Sequence, residues 1–304
     1  MRILITGDSG FVGQHVLAAW PNASGLMAWG HAHSGEEVSI LDKAALCAAL
    51  EDCKPDAVLH LAAQSFVPES FANPGQTLEV NLMGTLRLLE ALKATGFKGR
   101  MLQVGTADAY GLVPTADMPI QETRVLQPRN PYAVSKAAAE ALCYQWSQTE
   151  SFEVLMARPF NHIGEGQAPH FSVSGFAKQL AEMSLGMRPP VLSVGNLETT
   201  RDFTDVHDVI RAYALLLEKG HSGEVYNICS GQERSLQSMV ERLLELSGIR
   251  AQIEADSAKF RPAEQARVWG SYEKINKHTG WCPEISIDTS LLNVYHYWER
   301  KLRV

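Results

Sequence analysis

The stretch MRILITGDSGFVGQHVLAAW (residues 1–20) decides the fold. Residues 2–6 are a short apolar run, and Gly7, Gly10 and Gly13 follow at regular spacing. Residues 11–20 then take a helical pattern. Strand, glycine-rich turn and helix in that order open a dinucleotide-type βαβ unit. Glycine lets the chain turn sharply and lets a phosphate approach the backbone. The helix N-terminus offers unpaired N–H groups and a partial positive charge, which suit a pyrophosphate. The same residues also fit a strand–turn–helix that binds nothing, so the motif must be read in context.

Further apolar runs at 26–29, 57–61, 101–104 and 154–157 alternate with amphipathic stretches near 43–52, 75–95 and 131–149. Such alternation predicts an α/β fold, a Rossmann-type doubly wound parallel sheet covered on both faces. Its ligands bind at the carboxyl ends of the strands, near the switch point. After residue 160 the regularity weakens. Gly164, Gly166, Pro169, Pro189 and Pro190 punctuate residues 161–205, and helices are expected near 206–219, 235–247 and 286–300. The division expected is a dinucleotide-binding domain over 1–160 and a smaller substrate-binding lobe over 161–304. Some segments of the second part should return to the Rossmann core.

The bulk properties allow this and narrow the partners. The chain has 304 residues, 45% hydrophobic and 20% charged. At this length roughly three quarters of the unfolded surface can be buried. A net charge of −7 argues against a nucleic-acid or anionic-membrane partner. The five cysteines are scattered, with no C-x-x-C pair, and read as free thiols rather than a disulfide or zinc framework. The N-terminus lacks a signal-peptide pattern, and no stretch of about 18 apolar residues exists. A cytoplasmic protein is expected.

Tyr132 and Lys136 form Y-x-x-x-K in NPYAVSKAAAE, after an Asn130–Pro131 helix start. Residues four apart share a helix face. The ammonium is therefore expected to lower the phenol's pKa and make Tyr132 a proton donor or acceptor at a carbinol oxygen. A surface Tyr–Lys pair is the plain alternative. No histidine constellation has metal-ligand spacing, and His60, after an apolar strand, is expected to be half buried.

At this point the chain resembles the extended short-chain dehydrogenases/reductases. The resemblance runs through TGDSGFVG (6–13), HLAAQSFVPESFANP (60–74), VNLMGTLRLLEA (80–91), VGTADAYG (104–111), NPYAVSK (130–136), ARPFNHIGEGQ (157–167), RDFTDVHDV (201–209), YNICSGQ (226–232) and RPAEQARVWGS (261–271). These segments are those of nucleotide-sugar members. FNHIGEGQ, QSFVPES and RPAEQ are most similar to reductases of a GDP-linked 4-keto-6-deoxy sugar.

The resemblance implies roles. Thr106 would hydrogen-bond the substrate oxygen, Tyr132 would be the acid, and Lys136 would hold the nicotinamide ribose. Gly7, Gly10, Phe11, Val12 and Gly13 would line the pyrophosphate, with Leu61 and Ala62 beside the cofactor and Asn81 ordering the site. Asn161, Lys178, Arg201, Arg261 and Glu264 would meet the sugar nucleotide. Arginine suits its diphosphate and glutamate its ribose hydroxyls. Arg201 could equally pair with Asp202 or Asp205, and Lys178 could be an exposed helix residue. Helices 75–95 and 131–149 would pair with a second copy's into a homodimer, although their apolar faces could instead be internal core.

Two points bear on cofactor and reaction. Residues 25–34 carry no Asp or Glu to meet a ribose diol, which tilts the cofactor toward NADP(H) over NAD(H). His31 and His33 lie in that region, and Ser39 stands where many family members carry an adenine-contacting Asp. Asp108 occupies the slot where family 4,6-dehydratases place the Glu that removes a C5 proton, but it is one carbon shorter. Simple carbonyl reduction is therefore expected. A dehydratase or epimerase of the same family, and a non-catalytic dinucleotide sensor, remain the alternatives.

Overall fold

In this computed structural model the described residues are 1–20, 27–28, 39–256 and 265–303. The chain opens with β1 (Ile3–Thr6), α1 (Phe11–Ala19), β2 (Met27–Ala28), α2 (Lys43–Cys53) and β3 (Ala57–His60). Then come α3 (Val67–Ala72), α4 (Pro74–Leu78), a π-helical turn (Glu79–Met83), α5 (Gly84–Ala94) and β4 (Arg100–Val104). A 3-10 turn (Ala107–Tyr110) leads through a loop to α6 (Pro131–Thr149) and β5 (Glu153–Pro159). The second half runs β6 (Asn161–Ile163), α7 (Ser172–Ser184), β7 (Val191–Val194), β8 (Thr200–Asp205), α8 (Val206–Lys219) and β9 (Val225–Ile228). It ends with β10 (Glu233–Ser235), α9 (Leu236–Ser247), β11 (Gln252–Ala255), α10 (Glu273–Thr279) and α11 (Ile287–Leu302).

Among the described residues the main sheet has strand order β2-β1-β3-β4-β5-β9, all parallel. Its central strands are buried on both faces, which is why they read as unbroken apolar runs rather than alternating ones. On one face Val16 of α1, Val209, Ile210 and Tyr213 of α8, and Trp281 close the core. On the other, Leu46 and Leu50 of α2, Leu88 and Leu92 of α5, and Cys143 of α6 do so. Each fully buried Leu or Ile contributes about 1.5–3 kcal/mol. The strand order turns back at β1, so the ligand cleft opens between the carboxyl ends of β1 and β3.

The chain after residue 160 serves both lobes. α8 and β9 pack into and extend the main sheet. The remaining elements form a second core of α7, α9 and α11 against β7 and β8. Residues 161–205 are more regular than expected from the sequence, because they hold β6, α7, β7 and β8. These strands join two small sheets, β10-β8-β6 and β11-β7. Their pairing partners are far away in sequence, so no local pattern announces them. The stretch expected as a helix over 75–95 is helical without a gap from Pro74 to Ala94, with a π-helical turn between α4 and α5. Among the described residues no helix is long and apolar enough to cross a membrane.

Asp205 joins the two cores. It caps α8 by accepting from His207 N at 2.8 Å, and its other oxygen accepts from the buried Ser290 hydroxyl of α11 at 2.5 Å. Losing the cap costs about 1 kcal/mol, and leaving a buried hydroxyl without its acceptor adds about 1–3 kcal/mol. Asp205→Ala is expected to lower stability by the sum in denaturant unfolding. An unchanged midpoint would mean that packing alone holds the junction.

Candidate active site

The glycine turn has three separate reasons for its three glycines. Gly7 has φ +74°, and a Cβ there would lie 2.7 Å from Ala62 N, so β1 and β3 approach too closely for a side chain. A Cβ on Gly13 would lie 2.4 Å from Gly7 O, so α1 presses directly on the turn. Gly10 is the N-cap of α1 and has no side chain to cap it. The first intrahelical bond of α1 is Gln14 N to Gly10 O at 3.0 Å. Among the described residues the N–H groups of Phe11 and Val12 therefore have no carbonyl partner. They and the helix dipole face the open side of the turn, and this fits a pyrophosphate. Leu61 and Ala62 close the same corner through Leu61 N to Thr6 O at 3.1 Å and Ala62 N to Thr6 Oγ1 at 3.2 Å.

His60 is 1% exposed rather than half buried, because both its ring nitrogens are satisfied inside the protein. Nδ1 lies 2.7 Å from Thr6 Oγ1 and Nε2 lies 3.0 Å from Thr85 Oγ1. The Thr85 hydroxyl donates to Asn81 O at 2.7 Å, so it must accept from Nε2–H, and Thr6 donates to Nδ1. Burial first, and then the Lys136 charge, lower the imidazole to about 3, so it stays neutral. The chain of bonds continues. Asn81, in the π-helical turn, holds both Gln64 N and Gln64 O, at 2.8 and 3.0 Å, and donates to Ser135 Oγ at 2.9 Å. Ser135 donates to Tyr132 O at 2.7 Å. Asn81 thus orders the site by fixing the first turn of α6. Gln64 and Ser135 were not singled out in the sequence, and only this network reveals them.

α6 starts where the sequence predicts, with Asn130 Oδ1 accepting from Ala133 N at 2.7 Å and Pro131 in the first turn. It brings Tyr132 against the end of β4. There Gly105 N is bound to Ala157 O at 2.7 Å, and Thr106 caps the 3-10 turn by accepting from Asp108 N at 3.2 Å. The Thr106 side chain lies beside the Tyr132 phenol and favours its charged form, and the exposed Asp108 carboxylate lies close enough to disfavour it.

The electrostatics correct one expectation. Tyr132 is raised, not lowered, from its ordinary value, by burial first and by Asp108 second, against the Thr106 hydrogen bond. The Lys136 charge is felt instead at His60 and Cys143. Burial lowers Lys136 itself to about 8. Spacing of four residues brings the two groups onto one helix face but does not point the ammonium at the phenol. Among the described residues Lys136, 5% exposed, has no hydrogen bond or ion pair within the protein. A buried ammonium without an acceptor fits a ligand hydroxyl pair such as a ribose diol.

The sugar-nucleotide candidates are spread more widely. Asn161 opens β6, exposed and opposite Phe203 of β8. Arg201 lies on β8 and donates to Thr200 O at 2.7 Å and Gln265 O at 2.9 Å. The two carboxylates weighed as its ion-pair partners are engaged elsewhere. Asp202 accepts from Ser230 N, Gly231 N and Gly270 N, and Asp205 holds α8 and Ser290. Lys178 on α7 sits 3.4 Å from Glu182 and 5.6 Å from the Trp298 ring centre, against α11. Arg261 and Glu264, like His31 and His33, lie outside the described residues. Ser39 uses its hydroxyl to accept from Leu41 N at 3.2 Å. No group of three metal-ligating side chains occurs among the described residues. A groove of about 600 Å³ lined by Arg2, Lys54, Asp56 and Lys98 lies at the opposite, amino edge of the sheet and holds none of these groups.

The chain was compared with known proteins. A family model described as GDP-mannose 4,6 dehydratase matches residues 28–293. The chain is 45% identical over 302 residues to a GDP-6-deoxy-D-mannose reductase of Pseudomonas aeruginosa, covering 99% of this chain and 98% of that protein. It is 29% identical over 280 residues to a GDP-mannose 4,6-dehydratase of Yersinia enterocolitica, covering 82% of this chain and 74% of that one. Among solved structures, RMD of Pseudomonas aeruginosa complexed with NADPH matches with a TM-score of 0.91 at 44% identity, over 99% of this chain and 100% of that chain. The UDP-glucose 4-epimerase of Thermotoga maritima with UDP-glucose matches with a TM-score of 0.90 at 27% identity, over 99% and 100%.

Lys136 is protonated below its pKa of about 8 and loses its charge above it. Dinucleotide affinity, measured by fluorescence titration, is expected to weaken as pH rises through that value. Lys136→Met is expected to bind weakly and to lose this pH dependence. A wild-type affinity that stays flat across the range would place the ammonium outside the dinucleotide site.

Proposed function

The chain belongs to the GDP-mannose 4,6-dehydratase family, and from that premise we propose that it reduces the C4 ketone of GDP-4-dehydro-6-deoxy-D-mannose to GDP-D-rhamnose. It is an oxidoreductase that works with a nicotinamide dinucleotide. NADP(H) is the preferred form, with NAD(H) usable. The NADPH held by the similar Pseudomonas aeruginosa structure supports this, as does the absence of an acid in residues 25–34.

The observation that carries the reading is the placement of Tyr132 beside Thr106 and the 3-10 turn, with Lys136 one turn along the same helix. Reduction of a ketone needs an acid at the carbonyl oxygen, and a tyrosine raised above its ordinary value is in the acid form throughout neutral pH. A reduced nicotinamide, when bound, supplies the hydride to the carbonyl carbon. Tyr132 donates its proton to the oxygen. Thr106 donates a hydrogen bond to that oxygen as charge develops on it. Lys136, one turn along α6, offers its ammonium to the ribose hydroxyls and is the nearest cation on that helix when the tyrosinate forms. Gly7, Gly10, Phe11, Val12 and Gly13 hold the pyrophosphate, with Leu61 and Ala62 beside it. Asn161, Arg201, Arg261, Glu264 and Lys178 are the groups proposed to hold the GDP-linked sugar.

Asp108 keeps the dehydratase reading in view, since it carries a carboxylate in the dehydratase slot. Its side chain is one carbon shorter than the glutamate of that slot, and this favours reduction.

The outer faces of α3, α4 and α6 are proposed to pair with a second copy. Phe71, Leu78, Val134 and Tyr144 are large apolar side chains exposed there. Sedimentation should give a dimer for the wild type and a lighter species for Val134→Asp. A wild-type monomer would end the pairing proposal.

The reaction is tested by the loss of reduced-nicotinamide absorbance with GDP-4-dehydro-6-deoxy-D-mannose. Stoichiometric loss with formation of a GDP-6-deoxyhexose is expected, faster with NADPH than with NADH. Tyr132→Phe is expected to slow turnover by about 10²–10⁴-fold. No loss of absorbance, with water lost from GDP-mannose and no net cofactor use, would make the protein a dehydratase.

A further inference from the structure

Behind Thr106 and Tyr132 lies a buried ion pair that the reaction as described does not use. Glu140 stands eight residues after Tyr132 on α6, on the same face as Tyr132 and Lys136. Arg158 is the penultimate residue of β5. They are 9% and 5% exposed. The guanidinium grips the carboxylate with two bonds, Nε to Oε2 at 2.8 Å and Nη2 to Oε1 at 2.5 Å. Its third nitrogen, Nη1, donates to the Tyr110 hydroxyl at 2.8 Å and to Glu122 O at 3.2 Å. The Tyr110 ring lies 4.8 Å from the guanidinium carbon. The Tyr110 hydroxyl donates to Asn227 Oδ1 on β9 at 2.7 Å, and Asn227 Nδ2 donates to Ile120 O at 2.9 Å.

The placement of these groups matters more than their number. Tyr110 ends the 3-10 turn that Thr106 begins and that contains Asp108. Glu140 belongs to the helix that carries Tyr132. One planar guanidinium therefore holds the helix with one edge and the turn with the other. The backbone between them is equally close, since a Cβ on Gly105 would lie 3.0 Å from Ala157 O and 3.7 Å from Glu140 Oε2. A buried ion pair is weak evidence of stability, because desolvation offsets its attraction. Fixed relative geometry is the contribution that this pair is built to make, and the rigid fork of arginine gives it where a lysine would not.

We propose that Arg158 and Tyr110 are positioning residues, which set the Thr106 hydroxyl against the Tyr132 phenol through Glu140 and the 107–110 turn. The assignment rests on the reductase reading for its readout, so wild-type turnover with the 4-keto sugar is measured first. Failure of that reading shows there.

Tyr110→Phe then keeps the ring under the guanidinium and removes only the hydroxyl between Arg158 and Asn227. The single-turnover rate of cofactor oxidation is expected to fall by about 10- to 100-fold, the scale of a small misplacement of reacting groups. KM values for both substrates should be unchanged and thermal unfolding should stay cooperative. In a Thr106→Ala background the same change is expected to cost almost nothing more, because the group it positions is gone. Arg158→Lys, which keeps the charge and loses the fork, should behave in the same way. Losses that multiply with Thr106→Ala would overturn the proposal. So would a lowered melting temperature with an intact rate, or two variants that do not fold, since each would make the network structural only.

Discussion

The neutrality of His60 is the condition on which the site is assembled. The ring is buried and lies near the Lys136 charge, which together lower it to about 3 and keep it neutral near neutral pH. A neutral imidazole has one donor and one acceptor, and here each is matched to a threonine. Thr6 ends β1, His60 ends β3 and Thr85 lies in the first turn of α5, so three elements meet on one ring. Direction then propagates outward. Thr6 receives Ala62 N–H beside the glycine turn, and Thr85 feeds the Asn81 carbonyl, whose side chain ties down α6. The glycine turn and the first turn of the Tyr132 helix are thereby referred to the same buried group. Substituting any member leaves a buried donor or acceptor unmatched, which is costlier than losing an ordinary hydrogen bond.

Two groups of this apparatus bear on its acid–base chemistry, the Tyr132 phenol and the Asp108 carboxylate beside it. Burial and a neighbouring carboxylate both push Tyr132 toward its protonated form. A base would need the opposite surroundings. Asp108 acts from the exposed side of the 3-10 turn, where its charge reaches the phenol but its short side chain extends less far than a glutamate would.

Five strands of the central sheet, β1 to β5, were legible because they depend on local pattern, whereas β9 was not among the runs read as strands. Unbroken apolar runs mark strands covered on both faces, and the amphipathic stretches between them mark the covering helices. The glycine turn and the Tyr132–Lys136 pair were legible for the same reason, since each is a short motif on one element. What escaped was whatever depends on distant residues. The strands β6, β7, β8, β10 and β11 are 3 to 6 residues long and pair across wide sequence gaps. The helix α7 carries a clear apolar stripe through Val173, Phe176, Ala177, Leu180 and Ala181, but the surrounding Gly and Pro drew the reading toward a loop. His60 looked half buried because its two threonine partners are 54 and 25 residues away. The sign of the Tyr132 shift was beyond spacing altogether, because it depends on how deeply the ring is buried and where a carboxylate from another element falls. The Arg158–Glu140 pair gave no signal, since a lone Arg on a strand and a lone Glu on a helix are ordinary until the fold joins them.

The π-helical turn at Glu79–Met83 has an evolutionary implication. Each residue of a helix advances it by about 100°, so the extra residue of a π-turn rotates everything downstream relative to everything upstream. That rotation lets Asn81 face α6 while the apolar stripe of α5 faces α2. A deletion of one residue here would leave an unbroken, well-formed helix and yet set one of those two faces wrong. Exchanging a residue such as the exposed Glu79 would disturb neither face. Among descendants of this chain the length of the segment should therefore drift more slowly than its composition, and an alignment that places a single gap there would be matching residues that do not occupy equivalent positions.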